Sequence, residues 1–126
     1  LMEIAVIAAS HANRCEYCVT HHSAILTGLG LDADTVSDIT RAEPVKLSEL
    51  ELLVRDYAIA VSERAWGLRD DMFERLREHF SNEQIVELTM RIALTGMFNT
   101  INQALDIELE EGMITMPLAE GLEETG

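Results

Sequence analysis

Apolar residues recur at intervals of three and four along almost the whole chain, and no run alternates cleanly over the length of a β-strand. This spacing is typical of helices that bury one face. Two capping boxes, Ser48 with Glu51 and Ser81 with Gln84, mark the first turns of two such helices. The pattern therefore predicts an all-α fold, a bundle of about six helices over residues 2–12, 15–28, 33–41, 48–63, 70–79 and 81–105.

Local features refine two of these helices. Asp32 precedes the third helix and is its expected N-cap, while Pro44 prevents that helix from continuing. In the fourth helix, Glu51 and Arg55 are four positions apart, and this spacing predicts an ion pair along the helix surface.

The segments 50–61 and 85–105 carry apolar residues around more than one face. Helices of this kind must be covered on several sides. A chain of 126 residues forms one domain and has few other helices with which to cover them. We therefore expect contacts between subunits, and hence a homo-oligomer.

The charge balance is strongly acidic, with 9 Lys and Arg against 23 Asp and Glu and a net charge of −14. Phosphate backbones and anionic membrane surfaces repel such a protein, so the sequence argues against nucleic-acid and membrane partners. Residues 106–126 contain seven acidic residues and neither Lys nor Arg. We therefore divide the chain into a helical domain over residues 1–110 and an acidic C-terminal tail over residues 111–126.

The N-terminal segment is apolar, but it carries Glu3 and has no basic leader, unlike a signal peptide. The longest uncharged apolar stretch, residues 92–105, has 14 residues and includes polar amides, so it is too short for a transmembrane helix. These features predict a cytoplasmic protein. Because the chain begins at Leu1 inside an apolar pattern, we also expect that upstream sequence precedes this numbering.

The segment most informative about chemistry contains the chain's two cysteines, Cys15 and Cys18, and also His22. On a helix that begins near residue 14, successive positions turn by about 100°, so these three side chains share one face. Residues three positions apart on a helix have Cα atoms about 5 Å apart, within the range that a disulfide accepts. A helix N-terminus favours thiolates, and His22 lies one turn beyond Cys18, where it can exchange a proton.

Residue types alone leave three interpretations of this cluster open. The cysteines could perform dithiol–disulfide redox chemistry, or they could be inert buried thiols. They could also bind zinc with His22 and either Glu3 or His21, although structural zinc usually draws on a second pair of ligands that is missing here. Haem attachment is excluded because histidine does not directly follow the second cysteine. We favour redox chemistry, and position nearest the helix N-terminus favours Cys15 as the thiolate.

Glu3, followed after eleven residues by Cys15-x-x-Cys18-x-x-x-His22, resembles the active-site pattern of the alkylhydroperoxidase D-like branch of the carboxymuconolactone decarboxylase superfamily. The segment 80–102 is similar to the long helix of the same families. The resemblance covers residues 1–110 and implies an all-α fold that assembles into trimers or hexamers. It also implies reduction of peroxides by the dithiol, with an external dithiol or thioredoxin-like reductant, no bound cofactor and no metal.

Carried onto the matching positions, the resemblance makes Cys18 the attacking sulfur, which becomes a sulfenic acid, and Cys15 the resolving sulfur. Glu3 and His22 would form the relay that deprotonates the thiol. The sequence departs from the pattern at Tyr17, where the best-known peroxidases carry histidine, and this difference affects the relay and the rate. Two other functions compete: decarboxylase-like activity on small carboxylated substrates, as in the founding members, and a non-catalytic oligomer whose cysteines sense redox state.

Four further polar residues near these segments are expected to have structural roles. His11 lies one turn before Cys15 and is expected to be partly buried, whereas His21 is expected at the surface or at an interface. Asn99 and Asn102 lie in an apolar helix, where they are expected to satisfy each other's or a neighbour's polar groups.

Overall fold

The computed structural model describes residues 1–107, and these fold into six α-helices without a β-strand. In chain order the elements are α1 (Met2–Ala12), α2 (Glu16–Gly28), α3 (Ala33–Asp38), α4 (Glu49–Arg64), a 3₁₀ turn (Ala65–Gly67), α5 (Asp70–Arg77) and α6 (Asn82–Ala104). The all-α bundle predicted from the apolar spacing is confirmed. The proposed acidic tail, residues 111–126, lies outside the described residues.

Side-chain caps fix the start of α4 and of α6, as the sequence predicts. The Ser48 hydroxyl accepts from the Glu51 amide at 3.2 Å, and the Glu51 carboxylate accepts from the Ser48 amide at 2.8 Å. Ser81 and Gln84 form the same reciprocal pair at 3.1 and 2.8 Å. Each box satisfies backbone amides that a helix N-terminus otherwise leaves without partners.

Asp32 caps α3 through hydrogen bonds from Thr35, whose hydroxyl and amide lie 2.6 and 3.0 Å from the carboxylate. These bonds, that from the hydroxyl first, hold the pKa of the Asp32 carboxyl below its ordinary value. The helix ends at Asp38, three residues earlier than expected. The amides of residues 39–41 donate to the carbonyls three positions back, as in a 3₁₀ turn. The helix ends here because the buried Asp38 carboxylate accepts from the amides of Val45 and Lys46, and these bonds fold the following segment back onto Asp38.

The predicted ion pair between Glu51 and Arg55 is wrong. The Glu51 carboxylate turns back to its capping box, as described above. The Arg55 guanidinium is buried and donates to the carbonyls of Ile39, at 2.8 Å, and Arg41, and to the neighbouring Asp56 carboxylate at 3.0 Å. A buried guanidinium finds carbonyl acceptors across the core, so Arg55 ties α4 to the end of α3 instead of strengthening α4 alone.

α1 is the central helix of the bundle and contacts α2, α4 and α6. All its residues from Ile4 to His11 are buried, so it is covered on every side by the chain itself. Opposite it, α4 buries Leu53, Val54 and Tyr57 in the same core. The central position of α1 matters for function because Glu3 lies in its first turn and the two cysteines follow its C-terminus.

One face of α6 stays uncovered within the described chain. It consists of apolar side chains spaced three and four apart, each at least 43% exposed: Val86, Met90, Leu94, Met97, Phe98, Ile101 and Leu105. We call this surface the α6 apolar face. The opposite side of α6 buries Ile85, Leu88 and Ile92 in the core. Segment 85–105 was expected to need cover on several sides. Within residues 1–107, its core side is covered and the α6 apolar face is not.

Across residues 1–107, no helix combines the length and the apolar character that crossing a lipid bilayer requires.

Candidate functional site

A sharp corner between α1 and α2 carries the two cysteines. α1 ends at Ala12, and Arg14 adopts a left-handed backbone conformation with φ of 62°, which breaks the helix. The Cys15 amide then donates to the Ser10 carbonyl at 2.8 Å, and Cys15 becomes the N-cap of α2. α2 therefore begins at Glu16, one residue later than the predicted range 15–28 and two later than the start near residue 14 from which the shared face of the cysteines and His22 follows.

Cys15 and Cys18 are joined by a disulfide, with Cα atoms 5.3 Å apart. This separation is the one expected for two residues three positions apart at the start of a helix. The two sulfurs have different surroundings. Cys15 is 1% exposed, while Cys18 is 5% exposed and lines a pocket.

Glu3 and His22 meet beside the cysteines, although they lie on different helices. His22 Nδ1 is 2.7 Å from Glu3 Oε2, and both side chains are partly buried. Arg91 of α6 lies 4.0 Å from the other carboxylate oxygen. A carboxylate on Nδ1 fixes the tautomer and orientation of an imidazole, which leaves Nε2 as the nitrogen for exchanging protons with a reacting group.

The pocket has a volume of about 350 Å³ and lies between α1, α2 and α6. Cys18 and His22 both line it, so a small molecule inside can reach the sulfur and the imidazole together. Much of the remaining lining is apolar and includes Ile25, Leu94 and Phe98. The site residues that the sequence predicts are thus brought together, with Cys15 behind Cys18 and Glu3 behind His22.

Amide side chains on α6 hold the α1–α2 corner in place. Asn99 is fully buried; it donates to the Ser10 hydroxyl at 3.0 Å and accepts from the Asn13 side chain at 2.9 Å. Gln103 donates to the Asn13 carbonyl at 2.7 Å. Between them, Asn102 Nδ2 lies 3.2 Å from Cys18 Sγ.

The contact of Asn102 with the sulfur goes beyond the sequence prediction, in which the two asparagines satisfy each other's or a neighbour's polar groups. The sequence does contain a relevant feature, because Asn99 and Asn102 are three positions apart in a helix that carries apolar residues on several faces. Such a pair places two amides on one side of the helix. It does not show that a cysteine 84 positions away lies opposite one of them.

The other two histidines of this region differ in burial. His21, expected at the surface or at an interface, is half-buried and lines the pocket next to Tyr17, with ring centroids 4.5 Å apart. His11 is buried more completely than expected, at 1% exposure, and does not line the pocket. Burial, and secondarily the charge of Arg55, lowers the pKa of His11 from 6.5 to about 4, so its imidazole is neutral near pH 7.

The zinc interpretation requires three or more ligands in one place. In the part of the chain that the structure describes, no three His, Cys, Asp or Glu side chains form a group that could hold a metal ion.

Comparison with known proteins adds independent information. A family model for the Carboxymuconolactone decarboxylase family matches residues 1–44, the segment that contains Glu3, Cys15, Cys18 and His22. None of the curated proteins compared with the chain matches it.

Among solved structures, the chain is similar to a protein of unknown function from Agrobacterium tumefaciens, for which a role in antioxidant defence as AhpD has been suggested. The TM-score is 0.79 at 30% identity, over 86% of this chain and 76% of that one. An uncharacterized peroxidase-related protein from Silicibacter sp. TM1040 shares the fold, with a TM-score of 0.77 at 19% identity, over 91% of this chain and 58% of that one.

The debrominase Bmp8 is also similar, with a TM-score of 0.74 at 27% identity, over 87% of this chain and 60% of its own length. A form of Bmp8 in which a cysteine is replaced by alanine has been solved in complex with 2,3,4-tribromopyrrole. Given 30% identity over 76% of the Agrobacterium protein, and a family match on the segment that holds both cysteines, the chain belongs to the AhpD/carboxymuconolactone decarboxylase superfamily.

Proposed function

We propose that the protein is a thiol-dependent peroxidase that cycles between a Cys15/Cys18 dithiol and the corresponding disulfide. The observation that carries this proposal is the arrangement at the pocket, where Cys18 and His22 line one cavity, Cys15 is bonded to Cys18, and Glu3 is bonded to His22. A nucleophilic thiol, a resolving thiol and an oriented base are the groups that such a cycle needs. The role suggested for the Agrobacterium protein, antioxidant defence, supports the same activity.

In the first step, His22 accepts the Cys18 proton, and the thiolate attacks one oxygen of the peroxide. The O–O bond breaks, Cys18 becomes a sulfenic acid, and the departing oxygen takes a proton from the imidazolium to leave as an alcohol or as water. The Cys15 thiol then attacks the Cys18 sulfur, forms the disulfide and releases water. An external dithiol reduces the disulfide to two thiols and is itself oxidised to a disulfide.

The proposal also includes the reductant, the cellular compartment and the assembly of the protein. The reductant is a small dithiol or a thioredoxin-like protein, and no bound cofactor takes part. The protein acts in the cytoplasm, where such reductants keep thiols reduced. It assembles into a trimer or hexamer, a proposal that the uncovered α6 apolar face supports.

Peroxide consumption with dithiothreitol as reductant tests the activity. Replacing Cys18 by serine removes the attacking sulfur, so we expect turnover of hydrogen peroxide and of cumene hydroperoxide to fall by at least about 100-fold. Glu3→Gln keeps the shape of the side chain but removes the negative charge beside His22, and we expect a loss of about 10- to 100-fold in turnover. Glu16→Gln, an exposed acid in the first turn of α2, is the matched control and should keep full activity. A rate unchanged in Cys18→Ser would overturn the proposal.

Sulfenate trapping identifies the attacking sulfur. With dimedone present and peroxide added, Cys15→Ser should become labelled because it keeps Cys18, and Cys18→Ser should not. Labelling of Cys18→Ser alone would assign the attack to Cys15 instead.

A second candidate is reductive removal of bromine from a small aromatic ring, in which C–Br becomes C–H, bromide leaves and the two thiols become the disulfide. The similarity to Bmp8 and the apolar and aromatic lining of the pocket, Tyr17, Leu94 and Phe98, favour it. Release of bromide from 2,3,4-tribromopyrrole measures this activity. Bromide release much faster than peroxide consumption would favour this candidate over the peroxidase.

A further inference from the structure

We propose that Asn102 is a catalytic residue that donates a hydrogen bond to the Cys18 thiolate and thereby makes Cys18, and not Cys15, the reactive sulfur. The inference rests on the proposed function, because it concerns the same dithiol. It adds a residue from α6, outside the Glu3, Cys15, Cys18 and His22 set that the sequence pattern indicates.

The contact itself is the first argument. Asn102 Nδ2 lies 3.2 Å from Cys18 Sγ, within hydrogen-bond distance of a sulfur acceptor, and the asparagine side chain is half-buried. A sulfur in a disulfide is a weak acceptor, whereas a thiolate is a charged one. The same N–H group therefore gains most when the disulfide has been reduced and the proton has left, which is the state that attacks a substrate.

The second argument is the difference between the two sulfurs. Proximity to the helix N-terminus favours Cys15 as the thiolate. The advantage is small, however, because Cys15 is the N-cap and Cys18 the third residue of α2. Both sulfurs therefore lie in the first turn, where the helix dipole acts. Cys15 is almost fully buried and does not line the pocket. Cys18 lines the pocket and has the amide donor, so both features that differ between the cysteines favour Cys18.

The third argument is that the donor is held in position. On either side of Asn102 along α6, the side chains of Asn99 and Gln103 bond to Asn13 at the α1–α2 corner. These bonds tie α6 to the segment that carries Cys18, so they keep the Asn102 amide next to the sulfur throughout the catalytic cycle. A donor already in place costs little reorganisation when charge develops.

The experiment measures the reactivity of one thiol at a time. The chain has only two cysteines, so in the Cys15→Ser background every alkylation by iodoacetamide reports on Cys18. We expect Asn102→Ala in that background to move the midpoint of the pH–rate profile to higher pH and to slow alkylation at neutral pH by about tenfold. Asn102→Asp, which keeps the side-chain shape but places a negative charge at the sulfur, should slow it at least as much.

Two controls separate a specific effect from a general one. Thr100→Ala removes an exposed hydroxyl two positions away on α6, whose hydrogen bond goes to the Gly96 carbonyl, and should leave the profile unchanged. In the Cys18→Ser background, where only Cys15 can react, Asn102→Ala should have no effect on alkylation. Circular dichroism establishes that each variant is folded, and Asn102→Asp serves if the alanine variant is not.

An unchanged Cys18 profile in a folded Asn102 variant would overturn the inference, as would an equal effect on Cys15. Because alkylation requires no peroxide, this outcome is distinct from failure of the proposed function. A shifted profile in a protein without peroxide turnover would retain the role of Asn102 and reject the peroxidase. Normal peroxide turnover with an unshifted alkylation profile would retain the peroxidase and reject the role of Asn102.

Discussion

His11 shows how a single buried residue makes stability depend on pH. The side chain is 1% exposed, and burial followed by the charge of Arg55 lowers its pKa from 6.5 to about 4. In the unfolded chain the imidazole regains its ordinary pKa near 6.5. Between these two values the unfolded state binds a proton that the folded state does not, so acid favours unfolding.

We therefore expect the free energy of unfolding to be highest above pH 6.5 and to fall as the pH is lowered towards 4. The loss due to His11 alone should approach about 3 kcal/mol at the lower end, the equivalent of the full shift in pKa. Urea unfolding of the protein and of His11→Gln, at a series of pH values in one redox state, measures it. The His11→Gln variant should lose most of this slope, while the exposed His79→Gln should keep it. Equal slopes in all three proteins would contradict the assignment.

At this scale, sequence reasoning predicted that Glu3, His22 and the two cysteines lie together, but it missed one contact of Cys18. Glu3 and His22 could be paired because a known spacing pattern contains both. The structure puts them 2.7 Å apart, while their role in proton transfer stays a proposal. Asn102 could not be assigned to Cys18, because that contact depends on how α6 crosses the α1–α2 corner. Packing between distant segments sets such a crossing, and local spacing does not encode it.

Among the helices, starts were easier to predict than ends. The capping boxes at Ser48 and Ser81 lie within four residues of sequence, so the chemistry that begins α4 and α6 is visible locally. The end of α3 depends on the Asp38 carboxylate, which accepts from amides seven and eight positions later. The start of α2 is an exception, because it depends on the left-handed conformation of Arg14, which the local sequence does not indicate.

The capping box of α6 gives a direct test at this scale. Ser81→Ala removes the oxygen that accepts from the Gln84 amide, and we expect it to lower the free energy of unfolding by about 1 kcal/mol. Ser81→Asp keeps an acceptor at the N-cap and should preserve stability. Urea midpoints of the three proteins make the comparison. If alanine and aspartate behaved alike, the box would not be what stabilises the start of α6.

Within residues 1–107, helices α1 to α5 leave the α6 apolar face uncovered. The sequence predicted this need for cover from the apolar run in segment 85–105, but it predicted the same for segment 50–61. There the prediction did not require a second subunit, since Leu53, Val54 and Tyr57 of α4 are buried within the chain. Periodicity identifies helices with several apolar faces, but it does not indicate which of those faces the chain covers with its own helices.

The proposed association through this face predicts a sensitive position at Met90, which is 66% exposed. Met90→Glu places a charge in the middle of the apolar surface, so we expect the oligomer to dissociate into smaller species while the helical content stays the same. Light scattering coupled to size-exclusion chromatography measures the mass. Leu29→Glu makes the same kind of change at an exposed position after α2 and should leave the mass unchanged. A Met90→Glu protein of unaltered mass would place the subunit contact elsewhere.

Because Cys15 and Cys18 are only three positions apart, their oxidation causes little structural change elsewhere in the chain. The bond joins positions three apart at one end of α2 and crosses no boundary between helices. Closing so small a ring changes the freedom of the rest of the chain very little. Oxidised and reduced molecules should thus present nearly the same outline to any partner that does not touch the pocket. Such a centre fits the proposed peroxidase cycle, in which the thiols are oxidised and reduced repeatedly, because its oxidation leaves distant surfaces unchanged.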